Sequence, residues 1–535
     1  MEKRRRHQTA LTRSIGAQVR EYLSIQGQRR KLFPRAMLVG LLAGGIAVAF
    51  RWALEGGDSL RGQLIAWAHH APLWGWLLPP LMGALGAGLA VVLVHRIAPE
   101  AAGSGIPHLK AVLYWLRSMR WQAILLTKFV GGVVGIGSGL TLGREGPTVQ
   151  MGGSVGAAIA HWLRVPPRER QTLIAAGAGA GLAAAFNAPL AGLTFVLEEL
   201  QGHFAPTVFG ATFVAALTAD VVTRSLTSQL PVFHVESPPP PPLLALPAFL
   251  VLGLLTGVLG VAFNRALLKT LALFARVRNK WASLAGVLVG AAVGGVGWFV
   301  PSALGGGQRL VEAVLAGHIA LLHIPLWFVL RFGLTMVSYG CGAPGGIFAP
   351  LLVLGALIGL AVGEIAHLVL PGLINHPESF AVVGMAAYFA AIVRAPLTGI
   401  VLIVEMTNTY EQMVPLLVAC LSAYAIADWV MDRPIYEALL ERDLSQDGHL
   451  PDLQAPVILE CIVQEGARFE GKQVHEIGLP DGCILVALRR GIMELVPTAH
   501  TRLDAGDRLT AVIAPQATEA LAMLRAGCER PRARE

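Results

Sequence analysis

The sequence predicts an all-α polytopic membrane protein that ends in a small α+β domain. Charged residues make up 14% of its 535 residues and hydrophobic residues 54%, whereas an average soluble domain carries about 25% charged residues. Between residues 37 and 430 charges are sparse, and apolar runs such as 77–94 and 249–263 recur. A transmembrane helix needs roughly 20 mostly apolar residues, so this part of the chain is expected to cross a membrane several times.

An internal repeat is the next observation. The aligned pairs are 99–113 with 301–315, Pro147 with Pro350, and 177–198 with 384–405. The three offsets are 202, 203 and 207 residues. A nearly constant offset over three stretches is typical of transporters built from two structural repeats, whose binding sites lie where the halves meet.

Shifts in composition divide the chain into four parts. We expect a basic cytoplasmic tail at 1–35, membrane repeats at 36–235 and 243–445, and a cytoplasmic regulatory domain at 450–535. The proline-rich run 237–242 is the expected connector between the repeats. The basic tail stands before the first apolar span, which favours a cytoplasmic N-terminus over nucleic-acid binding, and no cleavable signal peptide is apparent.

The five cysteines contain no C-x-x-C pair. Their odd number and scattered spacing indicate neither a disulfide framework nor a zinc site. The sequence therefore predicts no bound metal.

Three clusters share one design, in which glycines precede a proline that can open a helix. They are Gly103-Ser104-Gly105-Ile106-Pro107, Gly143-Arg144-Glu145-Gly146-Pro147 and Gly345-Gly346-Ile347-Phe348-Ala349-Pro350. Proline is favoured at the first helical position, where free N–H groups and the helix dipole attract anions. Glycine lets an ion approach the backbone closely. The clusters are therefore candidate anion sites that need no full positive charge.

Ser104 and Glu145 are the side chains that these clusters single out. The Ser104 hydroxyl can donate to an anion or form a hydrogen bond with its own backbone. The presence of two similar clusters elsewhere in the chain favours donation to an anion. Glu145 is a carboxylate in an apolar segment, which is costly and by default functional. At a helix start its carboxylate can occupy the position of an anion. The deprotonated side chain then blocks the ion pathway, and the protonated side chain leaves it. An ion pair with the adjacent Arg144 is the weaker alternative.

Each of the other charged residues in the apolar region has two possible roles. Glu198 and Glu199 end the apolar stretch 190–197, and by themselves they fit a helix end at the membrane interface as well as a functional pair. Lys128, Arg331 and Arg394 either raise the local potential for anions or pair with carboxylates such as Glu405. These alternatives stay open on the residues alone.

The three clusters, in this order, resemble the selectivity-filter signatures of the CLC chloride channels and transporters. The flanking runs Lys128-Phe129, 186–192 and Asp432-Arg433-Pro434-Ile435-Tyr436 agree, and the likeness covers about residues 33–445. It implies an inverted-repeat CLC-type fold of many tilted, broken helices. It also implies a homodimer in the lipid bilayer with one anion pathway per subunit.

The resemblance implies roles for individual residues. Chloride would be held by the hydroxyls of Ser104 and Tyr436 and by the backbone amides of Ile347 and Phe348. Glu145 matches the external gating glutamate, and Glu199 matches the internal proton-transfer glutamate of exchanging members. Because channel members usually lack an acid at that position, Glu199 favours a chloride/proton antiporter over a passive chloride channel.

The tail beyond Asp443 has a different character. Residues 484–491 alternate apolar and polar side chains, as in a strand. Residues 501–509 indicate a turn before a strand, and 518–526 a helix. This tail is similar to the TrkA-C ligand-binding domain of potassium-uptake regulators. That implies a regulatory ligand such as a nucleotide, and the alternative is a stabilising cap with no ligand.

The sequence thus predicts a proton-coupled chloride transporter of the inner cell membrane, with both termini cytoplasmic and no enzymatic chemistry. Chloride and protons are the expected substrates, with no cofactor beyond that possible nucleotide and no nucleic-acid partner. The alternatives are a passive chloride channel and a ligand-gated sensor.

Overall fold

The computed structural model describes residues 2–71, 73–229, 232–233, 241–430, 433–446, 457–491, 493–514, 517 and 519–529. Most of the predicted connector, 237–240, and Asp432 of the last motif lie outside the described residues. The chain forms two compact units. The first comprises Met1–Leu109 and Arg120–Glu437, and the second comprises Lys110–Met119 and Ala438–Glu535. The limits expected for the four parts of the chain stay a prediction.

Helices build most of the first unit in two series whose members correspond in order, apart from the last helix of the second series. The first series is α1 Glu2–His69, α2 Leu78–Arg96, α3 Ile106–Leu113, α4 Trp121–Gly137, α5 Glu145–Trp162, α6 Pro167–Phe186, α7 Pro189–Phe195 and α8 Pro206–Leu226. The second is α9 Leu246–Phe299, α10 Gln308–Leu315, α11 Ile324–Gly340, α12 Phe348–Val369, α13 Glu378–Val393, α14 Pro396–Thr407, α15 Met413–Trp429 and α16 Ile435–Gln446. Helix α9 is interrupted at Trp281, whose φ is −125° and ψ 16°. It therefore matches α1 and α2 together.

The structural series reproduce the repeat in the sequence. Helices α3 and α10 begin 202 residues apart, α5 and α12 begin 203 apart, and α7 and α14 begin 207 apart. Equivalent helices also pack in equivalent pairs, α5 on α6 as α12 on α13, and α6 on α8 as α13 on α15. The predicted repeat is confirmed by these correspondences.

A reciprocal exchange of helix caps relates the two series. The carboxylate of Glu198, just after α7, accepts hydrogen bonds from the N–H groups of Leu397 (3.1 Å) and Thr398 (2.7 Å) at the start of α14. The carboxylate of Glu405, on α14, accepts from the N–H groups of Leu190 (3.1 Å) and Ala191 (2.8 Å) at the start of α7. Such reciprocal contacts between equivalent residues indicate an approximate two-fold axis between the two series.

Glycines let equivalent helices approach closely. A Cβ on Gly152 of α5 would collide with the Gly177 carbonyl of α6, and one on Gly355 of α12 would collide with the Gly384 carbonyl of α13. Such small-residue contacts replace the hydrophobic driving force that lipid cannot supply. The glycine-rich composition is therefore partly a packing requirement of these helix pairs.

Both spanning and broken helices occur in the described part of the chain. Eight segments are long and apolar enough to cross a membrane. Helices α3 and α10 have only eight residues each, or about 12 Å at 1.5 Å per residue, against a hydrocarbon core of about 30 Å. Short helices at membrane depth are tolerated where protein buries their ends, and the first of the three sequence clusters lies at the start of α3.

The second unit contains a four-stranded antiparallel sheet in the order β1-β4-β2-β3. Its elements are β1 Val457–Ile462, β2 Cys483–Arg490, β3 Met493–Leu495, β4 Arg508–Ile513 and α17 Glu519–Cys528. Leu488, Leu509 and Leu524 are fully buried in one core. The predicted strand at 484–491, the turn and strand after 501, and the helix near 518–526 are confirmed by β2, β4 and α17.

A substitution at Glu198 tests the reciprocal helix capping between the two series. Replacing Glu198 by Ala leaves two N–H groups and the Thr398 hydroxyl, which also donates to Glu198 at 2.7 Å, without an acceptor. The two Thr398 groups are part-buried and the Leu397 N–H is exposed, so the loss comes mainly from Thr398, at about 1–3 kcal/mol for each buried group left unsatisfied. We expect a melting temperature several degrees lower in detergent, measured by thermal unfolding. The exposed Glu411→Ala serves as the control, and equal melting temperatures for both variants would contradict the capping role.

Candidate anion-binding site

The three sequence clusters meet through their backbones. Gly143 and Gly346 exchange two hydrogen bonds, each N–H donating to the other residue's carbonyl oxygen at 2.7 Å. The Gly103 N–H donates to the Ala343 oxygen at 3.2 Å, and the Gly345 N–H donates to the Gly103 oxygen at 2.9 Å. Three loops far apart in sequence are thereby fixed together, each at the start of one helix.

The helices α3, α5 and α12 begin at this junction, at Ile106, Glu145 and Phe348. The loop before α3 needs glycine, because Gly103 and Gly105 have φ of +57° and +77°, a region that other residues rarely adopt. Gly146 packs against Ser104, whose Cα would lie 2.9 Å from a Cβ at that position. The starts of α3 and α5 are therefore in direct contact.

Buried cations hold the loop carbonyls of both repeats. Lys128 Nζ donates to the Gly103 oxygen at 2.6 Å. Arg331, 203 residues later, donates to the carbonyl oxygens of Ala303 (2.8 Å), Gly305 (3.0 Å) and Gly306 (3.1 Å). Both side chains are fully buried. Among the described residues both side chains donate to carbonyl oxygens and not to Glu405, which caps α7, so of the two alternatives the carboxylate pairing is not the one seen here.

Arg394, the third cation considered, lies elsewhere. Its guanidinium pairs with Asp428 at 3.2 Å and lies over the ring of Tyr424. It is not among the groups that hold the loops of the anion site.

The four residues expected to hold chloride are all fully buried: Ser104, Ile347, Phe348 and Tyr436. The Ser104 Oγ accepts from the Ile106 N–H at 3.3 Å, which leaves its hydroxyl proton for another acceptor. The Tyr436 hydroxyl has no hydrogen-bond partner among the described residues, and its ring stacks on that of Phe348 with centroids 6.2 Å apart. Buried hydroxyls normally find a partner, so this one is a donor suited to an anion.

Glu145 lies over the start of α12. Its Oε2 is 3.4 Å from the Ala349 N–H, which donates to it, and a Cβ on Gly143 would collide with the same oxygen. The side chain of Arg144 turns away and donates to the Ala185 oxygen at 3.2 Å. The carboxylate thus occupies a helix N-terminus, which is the position that an anion would take.

A cleft of about 410 Å³ leads to Glu145. Arg61, Arg144 and Arg309 are among the residues that line it. Glu55, Asp58 and Glu145 also line it, and Asp58 pairs with Arg61 at 2.6 Å, so among the described residues the cleft carries as many carboxylates as guanidinium groups.

Glu198 and Glu199 have different surroundings although they are adjacent. Both lie in the wider, π-helical turn Val196–Gln201 that follows α7. Glu198 caps α14, whereas the side chain of Glu199 is buried within the unit. Glu198 therefore has a structural role at a helix end, and Glu199 remains the candidate for proton transfer.

Tyr339 is a site residue that the sequence reasoning missed. Its hydroxyl accepts from the Ser104 N–H at 3.4 Å and lies against Gly103. Nothing in its local sequence marks it, because it ends an ordinary apolar helix. The role of Lys128 and Arg331 could have been found, since their separation equals the offset of the repeat.

Residues 86–428 match the family model described as voltage gated chloride channel, which covers more than half of the chain. The chain belongs to the CLC family. Residues 458–525 match the model of the TrkA-C domain. Both resemblances drawn from the sequence are confirmed, and so is the inverted-repeat CLC-type fold with its small α+β domain.

Curated relatives and a solved structure agree with this assignment. The chain is 41% identical over 430 residues to the H(+)/Cl(−) exchange transporter ClcA of Vibrio parahaemolyticus, covering 78% of this chain and 92% of that protein. It is 43% identical over 415 residues to ClcA of Vibrio cholerae, covering 76% and 89%. The crystal structure of a slow cyanobacterial Cl−/H+ antiporter superposes with a TM-score of 0.76 at 36% identity, covering 78% of this chain and 99% of that one.

The Tyr436 hydroxyl provides a test of the anion site. Tyr436→Phe removes a donor and retains the ring that stacks on Phe348. A hydrogen bond to a charged group contributes about 1.5 kcal/mol or more, so chloride binding measured by calorimetry should weaken by about tenfold. Tyr388→Phe is the matched control, because Tyr388 is equally buried and its hydroxyl donates to Leu259. Equal affinities in both variants would place the anion elsewhere.

Proposed function

We propose that this CLC protein exchanges chloride for protons across a membrane. The observation that carries the proposal is the Glu145 carboxylate on the Ala349 N–H at the start of α12, inside the cluster of helix N-termini. A carboxylate that occupies the position of the transported anion can itself bind a proton, so protonation of this group controls access of the anion. The relatives named as H(+)/Cl(−) exchange transporters support this function.

The proposed cycle uses this chain's own groups. Chloride is held by the hydroxyls of Ser104 and Tyr436 and by the Ile347 and Phe348 N–H groups, for which no described residue is the acceptor. When charged, Glu145 competes with chloride for the N-terminus of α12. When protonated it loses its attraction to the helix dipole, swings away and admits the ion. Glu199 supplies protons to Glu145 from the other side.

A passive chloride channel is the alternative within the same family. It would conduct the anion with no movement of protons. The buried carboxylate of Glu199 argues against a channel, because an intramembrane acid is costly to retain without a role in proton transfer. A ligand-gated sensor, in which the C-terminal domain does the main work, would bind ligand with little ion flux.

The proposal includes a homodimer in the inner cell membrane, with both termini in the cytoplasm. Family membership supports two copies, each with its own pathway. Exposed apolar side chains on α8 and α15, such as Phe213, Leu217 and Leu421, are suited to contact a second copy or lipid. The mass of the detergent-solubilised particle from light scattering tests the dimer, and a monomeric mass would refute it.

A regulatory nucleotide for the C-terminal domain also stays a proposal. The match to the TrkA-C model supports it. Helix α3 begins beside Ser104, and its last residues belong to the same compact unit as the C-terminal domain. Titration of the full-length protein with nucleotides tests it, and no heat of binding and no change in flux would favour a stabilising cap.

Two substitutions separate the gate from the proton route. Glu145→Ala should retain chloride flux and lose coupled proton movement, because the competing, titratable group is absent. Glu199→Gln should mainly abolish proton transport and leave chloride movement. The measurement is proton uptake driven by a chloride gradient in reconstituted vesicles, with chloride efflux recorded in parallel.

Glu411→Gln is the control for these variants, since it changes an exposed carboxylate outside the anion site and should remain coupled. Absence of proton uptake in the unmodified protein would refute the antiporter. Coupling retained in both Glu145→Ala and Glu199→Gln would refute the two assignments.

A further inference from the structure

Two thiols of the C-terminal domain lie against each other. Cys461 is on β1, and Cys528 is the last residue of α17, 67 positions later in the chain. The Cys528 S–H donates to the Cys461 sulfur, with the two Sγ atoms 3.0 Å apart. Both cysteines are free thiols. The sequence pattern gave no sign of the pair, because only the fold brings the two positions together.

Backbone contacts fix the end of α17 beside β1. The Gln464 N–H donates to the Cys528 oxygen at 2.8 Å, and the Phe469 N–H donates to the Gly527 oxygen at 3.0 Å. A Cβ on Gly527 would collide with the ring of Phe469. These contacts satisfy carbonyls that a helix C-terminus leaves free, so the two sulfurs are held together by the domain itself.

The pair is accessible to small molecules. Cys461 and Cys528 both line a cleft of about 490 Å³, together with Arg508 and Arg525. Cys461 is partly exposed, whereas Cys528 is almost fully buried behind it. A reagent that enters the cleft therefore reaches Cys461 first.

The two thiols differ in acidity. The hydrogen bond from Cys528 lowers the pKa of Cys461, burial opposes this, and the charge of Arg525 lowers the pKa further. The hydrogen bond to Cys461 and burial raise the pKa of Cys528. Since the thiolate is the nucleophile of cysteine chemistry, Cys461 is the attacking sulfur and Cys528 the resolving one.

We propose that Cys461 and Cys528 form a redox-active dithiol, a reversible modification site that closes to a disulfide between β1 and α17. The oxidant is a peroxide or a small-molecule disulfide that enters the cleft. With hydrogen peroxide, the Cys461 thiolate attacks one oxygen and becomes a sulfenic acid, while hydroxide leaves and takes up a proton to form water. The Cys528 thiol then attacks the Cys461 sulfur and releases a second water molecule.

Reduction reverses the change. A dithiol reductant supplies two electrons and two protons and restores both thiols by thiol–disulfide exchange. Disulfides of cytosolic proteins, where they occur, are usually transient and serve catalysis or redox sensing. The bond would close a long loop and fasten the C-terminal helix to the sheet, which restricts the unfolded chain and stabilises the domain.

The test uses the full-length protein and hydrogen peroxide, with oxidised glutathione as a second oxidant. Peptide mass spectrometry after alkylation should show Cys461 linked to Cys528, with both residues alkylated again after treatment with dithiothreitol. Oxidation should also raise the melting temperature of the C-terminal domain by roughly 10 °C or more. Cys461→Ser and Cys528→Ser should each abolish the linkage and the temperature shift.

Cys483→Ala is the matched control, because Cys483 is buried in the same core and does not line the cleft among its described residues. This variant should still form the Cys461–Cys528 disulfide. Cross-links between two copies of the chain would overturn the proposal. A mixed disulfide or sulfinic acid that persists on Cys461 while Cys528 remains alkylatable would also overturn it, as would no reaction at either residue.

Discussion

Two backbone hydrogen bonds between Gly143 and Gly346, each 2.7 Å long, are the contact on which the rest of the membrane unit depends. The residues occupy equivalent positions of the two repeats, 203 residues apart, so their mutual pairing lies on the approximate two-fold axis. Each loop runs directly into a helix, α5 or α12. The pairing therefore turns the starts of both helices toward one space, and glycine is needed because a side chain on Gly143 would displace the carboxylate of Glu145.

Buried cations bind carbonyl oxygens of the loops that precede the helices. Turning helix N-termini inward also turns loop carbonyls inward, and each such group left unsatisfied would cost about 1–3 kcal/mol. Lys128 donates to the Gly103 oxygen of the junction, which also accepts from the Gly345 N–H. Arg331 donates to carbonyl oxygens of the equivalent loop before α10. Burying a charge is itself costly unless it is hydrogen-bonded, and here the loop oxygens supply the bonds. The charges raise the potential for anions without occupying the N–H groups that would bind one.

The sequence predicted features that depend on local chemistry and missed those that depend on tertiary packing. Glycine and proline before a helix are readable because the backbone requirement lies within a few residues, so the starts of α5 and α12 were predicted from the clusters. The repeat was visible because equivalent residues keep their spacing. Glu198 was left between two readings, since its partner N–H groups on α14 lie 199 and 200 residues away. Tyr339 and the Cys461–Cys528 pair were missed for the same reason, because tertiary packing alone places them.

Carboxylates accept hydrogen bonds at three helix N-termini, and the same interaction serves structure at two of them and gating at the third. Glu198 accepts two N–H groups and a hydroxyl at 2.7–3.1 Å, and Glu405 accepts two N–H groups at 2.8–3.1 Å. From the other described residues the Glu145 carboxylate accepts one hydrogen bond, from the Ala349 N–H at 3.4 Å, beyond the usual range of about 2.7–3.2 Å. Because each good bond to a charged group contributes about 1.5–3 kcal/mol, the first two carboxylates are fixed. Glu145 is held loosely enough that an anion can replace it, and protonation would release it altogether.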